Sequence, residues 1–260
     1  MFPLKDDIPT RRFPIVTVLL IVANVVMFFG FQGAFSSGEA ATNRTTVEYG
    51  AIPYELTHPG KHCEQTSGGR IACEGQPGVS GETGSQPPTW LTVLTAMFMH
   101  GGLLHIAGNM LFLWIFGNNI EDSMGRLRFV LFYLLGGVAA VGLQALVDPG
   151  SAVPTIGASG AVAAVLGGYA LLYPRARVVT LLFIIVFFTI VELPALLVLG
   201  GWFVLQAVNG AANLSQPVAG AGGVAYFAHI GGFAFGLVAI KLFADRVHDD
   251  YERAHRAPVY

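Results

Sequence analysis

The chain has 260 residues, 53% of them apolar and 12% charged, with a mean hydropathy of +0.61. Soluble domains carry about a quarter charged residues, so these figures exclude an ordinary soluble domain and point to a polytopic membrane protein. The net charge of −2 offers no argument for a nucleic-acid partner.

Membrane helices need roughly 17–25 apolar residues. Six candidate spans follow, at about 14–31, 102–120, 127–147, 159–173, 193–209 and 221–243. The expected fold is all-α: a bundle of six transmembrane helices, with a lead at 1–13, a membrane domain at 14–243 and a tail at 244–260. With the N-terminus cytoplasmic, eleven Lys and Arg residues lie inside, Arg11, Arg12, Arg126 and Arg175 among them. Only Arg44, Lys61 and Arg70 lie outside. That positive-inside bias supports an even number of spans and places both termini in the cytoplasm.

The first span reads as an uncleaved helix, because Phe31-Gln32-Gly33-Ala34-Phe35 is not a clean small-x-small cleavage site. A long outer loop, 32–89, holds Cys63 and Cys73. On that side of a membrane the pair reads as a disulfide, although His58 and His62 nearby leave a zinc site open. Either would staple the loop rather than carry chemistry, so no cofactor and no catalytic metal are expected. Residues 87–100 turn apolar again, with Trp90 suited to anchor in the interface.

The second span opens on His100, His105 and Asn109. The last two are four apart and share a helix face. The inner loop after it carries Glu121 and Gly125, which suit a close turn with Glu121 bonding backbone. Gly136-Gly137 lies in span three, and Asp148-Pro149-Gly150 ends it. Span four starts at Ser159. The apolar stretch 178–209 would be roughly 48 Å as one helix, too long for a bilayer, and Pro194 divides it. Residues 178–191, β-branched and aromatic, are expected at the inner interface. Span five runs outward from Leu193 to Asn209-Gly210. Span six carries His229 about eight residues in, with Gly232 and Gly236 on the same face.

Topology then selects a constellation. Spans two, four and six all run inward, so His105, Asn109, Ser159 and His229 fall in one outer slab. Polar side chains are costly inside a membrane and face the bundle interior. A serine needs a base and an oxyanion needs donors. His229 supplies the base. Asn109, His105 and backbone N–H groups near Ser159, beside Gly157, supply the donors, helped by the positive end of the helix. Gly160, Gly232 and Gly236 would permit close approach of spans four and six. No Asp or Glu lies in an outer half-span, so a Ser–His dyad is expected rather than a triad. The G-x-S-x-G elbow of soluble lipases is broken by Ala161.

Gly157-Ala158-Ser159-Gly160, His100 with His105 and Asn109, and Ala228-His229 with Gly232 and Gly236 together resemble the rhomboid family of intramembrane serine proteases. The resemblance covers about 10–243. It implies that Ser159 is the nucleophile and His229 the base, that His105 and Asn109 line the oxyanion site, and that Trp202 and Phe203 on span five gate sideways entry of a substrate helix. The aromatic that some members place four residues after the serine is Ala163 here. The implied activity is cleavage of single-span membrane proteins near the outer membrane boundary, with the lipid bilayer as surroundings. Two other readings compete: an inactive rhomboid-like binder of membrane helices, which would typically lack the serine or the histidine, and a small transporter, which predicts inverted repeats and polar residues reaching the inner side. Short termini without a targeting extension suggest a bacterial plasma membrane, with the active site opening outward.

Overall fold

The computed structural model describes residues 2–33, 38–66, 70–76, 86–184, 187–215 and 224–245. The glycine-rich stretch 218–223 and the tail from 246 onward lie outside them.

Among the described residues, four helices are long and apolar enough to cross a membrane. They are α5 (Leu103–Met124), α6 (Arg126–Val147), α8 (Ala195–Ser215) and α9 (Tyr226–Phe243). Two shorter apolar helices complete the bundle, α1 (Ile15–Val26, extended by a π-helical turn Met27–Phe31) and α7 (Ser159–Leu172). Gly125 joins α5 to α6 at φ +80°, a conformation that favours glycine.

Helix α7 is the centre of the bundle. Every residue from Gly160 to Ala170 is buried, which a helix can bear only if it is apolar all round. Its small residues let neighbours in closely. A Cβ on Gly232 would collide with the carbonyl oxygen of Gly160, and one on Gly236 with that of Ala164. With 14 residues, α7 is about 21 Å long.

Helix α1 begins at Ile15, just after Pro14. The Ile15 N–H donates to Phe13 O at 2.9 Å, and the next two amides are served from a distance. Glu121 of α5 accepts from Val16 N–H at 3.0 Å, and from Thr17 N–H and Thr17 Oγ1–H at 2.8 Å each. A carboxylate at a helix N-terminus also meets the positive end of the dipole. The bonding expected of Glu121 is therefore to the first helix, 104 and 105 residues away in sequence.

At the end of the bundle away from Ser159, the chain departs from the all-helical expectation. Strands β1 (Phe2–Asp6), β4 (Arg177–Ile184) and β5 (Phe187–Pro194) form an antiparallel sheet in the order β1-β4-β5. Asp6 pairs with Val178, and Arg177 with Pro194. The run is rich in Val, Ile, Thr and Phe, which suit a pleated surface. Asp6 is buried there, and its Oδ2 accepts from Tyr169 Oη–H and Asn119 Nδ2–H, both at 2.6 Å. Burial raises its carboxyl to about pKa 6, against the lowering effect of the Tyr169 bond.

At the opposite end, α2 (Gly38–Tyr49), α3 (Pro53–Thr57), the hairpin β2 (Cys63–Gln65) and β3 (Ile71–Cys73), and α4 (Thr89–Thr95) build a small lobe. Cys63 and Cys73 are joined as a disulfide, so their sulfurs are not available to a zinc ion. Val47, Ile52, Tyr54 and the two cysteines form the lobe's own apolar cluster. Ala51 and Thr155 exchange backbone hydrogen bonds of 3.2 and 2.8 Å, which tie this lobe to the loop that leads into Ser159.

Three boundaries differ from expectation. Helix α8 runs on past Asn209 to Ser215, and α5 runs to Met124. Helix α9 begins at Tyr226. His229 is therefore in the first turn of α9 rather than eight residues deep.

Candidate active site

Ser159 is the first residue of α7 and His229 the fourth of α9. The Gly160–Gly232 contact brings these two helix starts together. Ser159 Oγ lies 2.8 Å from His229 Nε2, within hydrogen-bond reach. The N–H groups of the first turn of α7 have no partner within their own helix and point toward the serine end.

His105 and Asn109 approach from α5. Gly157 has φ +118°, and a Cβ there would sit 2.7 Å from both Cε1 and Nε2 of His105 and 3.6 Å from Asn109 Nδ2. Only glycine leaves that space, two residues from the serine. Gly101 N–H donates to His105 Nδ1 at 3.3 Å. In a neutral imidazole the proton then sits on Nε2, the nitrogen next to Gly157. Asn109 is 8% exposed, and its Nδ2 has no hydrogen-bond partner among the described residues. Two N–H donors thus approach Gly157.

His100 lies just before α5, with its ring 5.1 Å from that of His105. His100 is buried. Gln32 holds its backbone on both sides, accepting from His100 N–H at 2.8 Å and donating to His100 O at 3.1 Å.

A model of the rhomboid domain matches residues 87–246. The chain belongs to the rhomboid family. The match contains α4 to α9 and every residue of the Ser159 site. It leaves out α1, most of the disulfide lobe and β1.

Among similar proteins, rhomboid-like protein 11, chloroplastic, of Arabidopsis thaliana is 43% identical over 75 residues, 29% of this chain and 26% of that protein. Rhomboid protease GluP of Bacillus subtilis is 29% identical over 160 residues, 62% of this chain and 24% of its own length. Rhomboid protein 1, mitochondrial, of Saccharomyces cerevisiae is 29% identical over 153 residues, 57% of this chain and 40% of its own. The chain thus spans well under half the length of these relatives.

Within this rhomboid site, Trp202 of α8 packs on His229, with ring centroids 5.5 Å apart and planes tilted by 38°. This ring contact to His229 comes from α8, whereas position 163, four residues after the serine, is alanine. Phe203 stacks instead on Phe233, 4.6 Å away. Gly236 lies one turn further along α9 and packs on Ala164, so it serves the helix pair rather than the site. Cys63 and Cys73 belong to the lobe.

Gln206, on α8, was not among the expected site residues. Its Oε1 lies 2.9 Å from His229 Nδ1. The signal was present: a lone amide between Leu193 and Val208, four residues after Trp202 and so on the same helix face.

Proposed function

We propose that this rhomboid is an intramembrane serine endopeptidase that hydrolyses a peptide bond in or near the outer part of a substrate's transmembrane helix. The observation that carries the reading is the 2.8 Å Ser159–His229 hydrogen bond between two helix starts closed by glycine contacts.

In this mechanism Ser159 Oγ attacks the scissile carbonyl carbon while its proton passes to His229 Nε2. The carbonyl oxygen becomes an oxyanion and takes hydrogen bonds from His105 Nε2–H, Asn109 Nδ2–H and the backbone N–H groups at Ser159, beside Gly157. Collapse breaks the C–N bond, and the amine leaves with the proton from Nε2. Water then attacks the acyl-serine with His229 again as base, releasing the acid and restoring Ser159. The donors are in place before the charge develops, so stabilising it requires little reorganisation.

The same reading takes α1, α5, α6, α7, α8 and α9 as six spans within a membrane domain at 14–243, between cytoplasmic segments at 1–13 and 244–260. It sets the disulfide lobe and the site at the outer face, the sheet at the inner face, and the protein in a bacterial plasma membrane. Its partners are single-span membrane proteins, and Trp202 and Phe203 line their route past α8. The disulfide in the lobe supports the orientation, since such bonds persist in oxidising compartments.

The test is cleavage of a model single-span substrate in liposomes, with wild type beside Ser159→Ala and His229→Ala. Wild type is expected to cut and both variants, still folded, to be silent. Equal cleavage by all three would remove Ser159 and His229 from their roles. If none cuts, failure of a serine-reactive fluorophosphonate to label wild type would favour the helix-binding reading.

A further inference from the structure

A dyad leaves one question open: what holds the imidazole with its proton on the correct nitrogen. We infer that Gln206 is the positioning residue for His229, setting its tautomer and its ring orientation from helix α8. This rests on the Ser159–His229 reading above and extends it to a residue that does not touch the reacting atoms.

The geometry has two parts. The amide's own orientation follows from its second bond, in which Gln206 Nε2–H donates to the carbonyl of Trp202 at 3.3 Å. That leaves Oε1 facing His229 Nδ1 at 2.9 Å. An acceptor at Nδ1 requires the proton there, which leaves the Nε2 lone pair free to accept from Ser159 Oγ–H. The flipped amide would offer N–H to Nδ1 and drive the proton to Nε2, where the imidazole could not act as base. Gln206 is 7% exposed, so an unpaired amide there would be costly and the bonded arrangement is favoured.

Trp202 and Gln206 are one turn apart, and both meet His229. One helix therefore supplies the packing and the polar bond that fix the base. That helix is also loosely enclosed: Leu196, Leu197, Val204, Leu205, Val208 and Leu214 of α8 are all more than half exposed. The nucleophile sits on the most buried helix of the bundle, while the orientation of its base depends on a peripheral one. A neutral amide takes the place that a carboxylate holds in a Ser-His-Asp triad. It orients the ring and adds no charge within the membrane, where a carboxylate is costly.

The experiment compares wild type, Gln206→Leu and Gln206→Glu in the liposome assay, with Ser159→Ala as reference and thermal unfolding as a check on folding. Gln206→Leu removes the acceptor at similar size. Its kcat is expected to fall about 10- to 100-fold with KM within about threefold, a share of the roughly 10²–10⁴-fold that a positioned general base contributes. The ¹⁵N spectrum of the His229 ring should show the proton moving partly to Nε2. Gln206→Glu keeps the acceptor and adds charge. It should restore much of kcat and move the acid limb of the kcat/KM profile upward by about one pH unit or more, since a carboxylate favours the imidazolium.

A Gln206→Leu variant with wild-type kcat and an unshifted ¹⁵N spectrum overturns the inference. If that variant does not fold, Gln206→Glu decides alone: a raised acid limb supports the role and an unmoved one overturns it. Activity remaining in Ser159→Ala would instead refute the dyad itself, so the two failures are distinguishable.

Discussion

Gly232→Ala places one methyl group where the structure has no room. The added Cβ would overlap the carbonyl oxygen of Gly160 and press on the Ala163 side chain at 3.2 Å. Ordinary contacts of this kind lie beyond about 3.4 Å, and a well-packed interior yields only by shifting backbone, at about 1–3 kcal/mol. Relief requires α9 to move away from α7 by more than about 1 Å, and His229 lies one turn before Gly232 on the same face. The 2.8 Å Ser159–His229 bond would then open to about 4 Å, past hydrogen-bond range. The expected result is a loss of about 10²-fold or more in kcat, since a positioned base contributes roughly 10²–10⁴-fold. The melting temperature should fall by several degrees, at about 2–4 °C per kcal/mol for a chain of this size. The control is Gly142→Ala on α6, where a Cβ meets nothing within 4 Å. That change should leave cleavage intact and leave stability unchanged or raised. Cleavage in liposomes and thermal unfolding in detergent measure both quantities. A folded Gly232→Ala protein that cuts within threefold of wild type would refute the claim that glycine contact holds the dyad together.

Asn109→Ala should separate activity from stability. Among the described residues the Nδ2 donor has no partner to lose, so unfolding should shift little, while loss of an oxyanion donor should lower kcat by about 10²–10³-fold. Glu121→Ala should do the reverse. It removes three accepted hydrogen bonds at the start of α1 and should cost about 4 kcal/mol or more, given that bonds to a carboxylate contribute roughly 1.5–3 kcal/mol each, read as a lower melting temperature with little change in kcat per folded molecule. Asp6 should make stability pH-dependent. Its folded pKa of about 6 exceeds the ordinary 3.8, so the folded state holds the proton more tightly. Stability is then highest below about pH 4 and falls as pH rises through 6, by roughly 3 kcal/mol. Asp6→Asn should flatten that slope in melting curves between pH 4.5 and about 7.5.

The site was readable in the sequence because depth in a membrane is a strong filter. His105, Asn109, Ser159 and His229 could be assigned to one end by counting residues from predicted helix starts; in the structure His105 and Asn109 approach Gly157 and Ser159 meets His229. The count missed by about a turn at His229, because the apolar run was read from 221 whereas α9 begins at Tyr226. Gln206 was missed for a different reason: α8 was read for its aromatic pair, and a single amide on an apolar helix suggests interhelical packing as readily as a partner for a histidine. Residues 178–191 were placed by their length and β-branched character, but pairing with Phe2–Asp6 depends on a segment about 170 positions earlier. No local pattern reports a partner at that distance. The shortness of the fourth span did suggest a buried helix of a tight bundle, and every residue of α7 from Gly160 to Ala170 is buried.

The bond from Glu121 to the first turn of α1 also dictates an order of events during synthesis. Val16 leaves the ribosome 105 residues before its acceptor, a delay of about 5–20 s at roughly 5–20 residues per second. For that interval the leading amides of α1 must be served by water or lipid headgroups, so the first helix cannot take its final seat when it is made. Strand β1 waits longer still, until β4 follows about 170 residues later. The earliest elements of the bundle are thus completed by some of its later ones. A nascent chain stalled before Glu121 should hold its first helix loosely, open to extraction by membrane quality-control proteases, whereas emergence of Arg177–Ile184 supplies the strand with which β1 pairs.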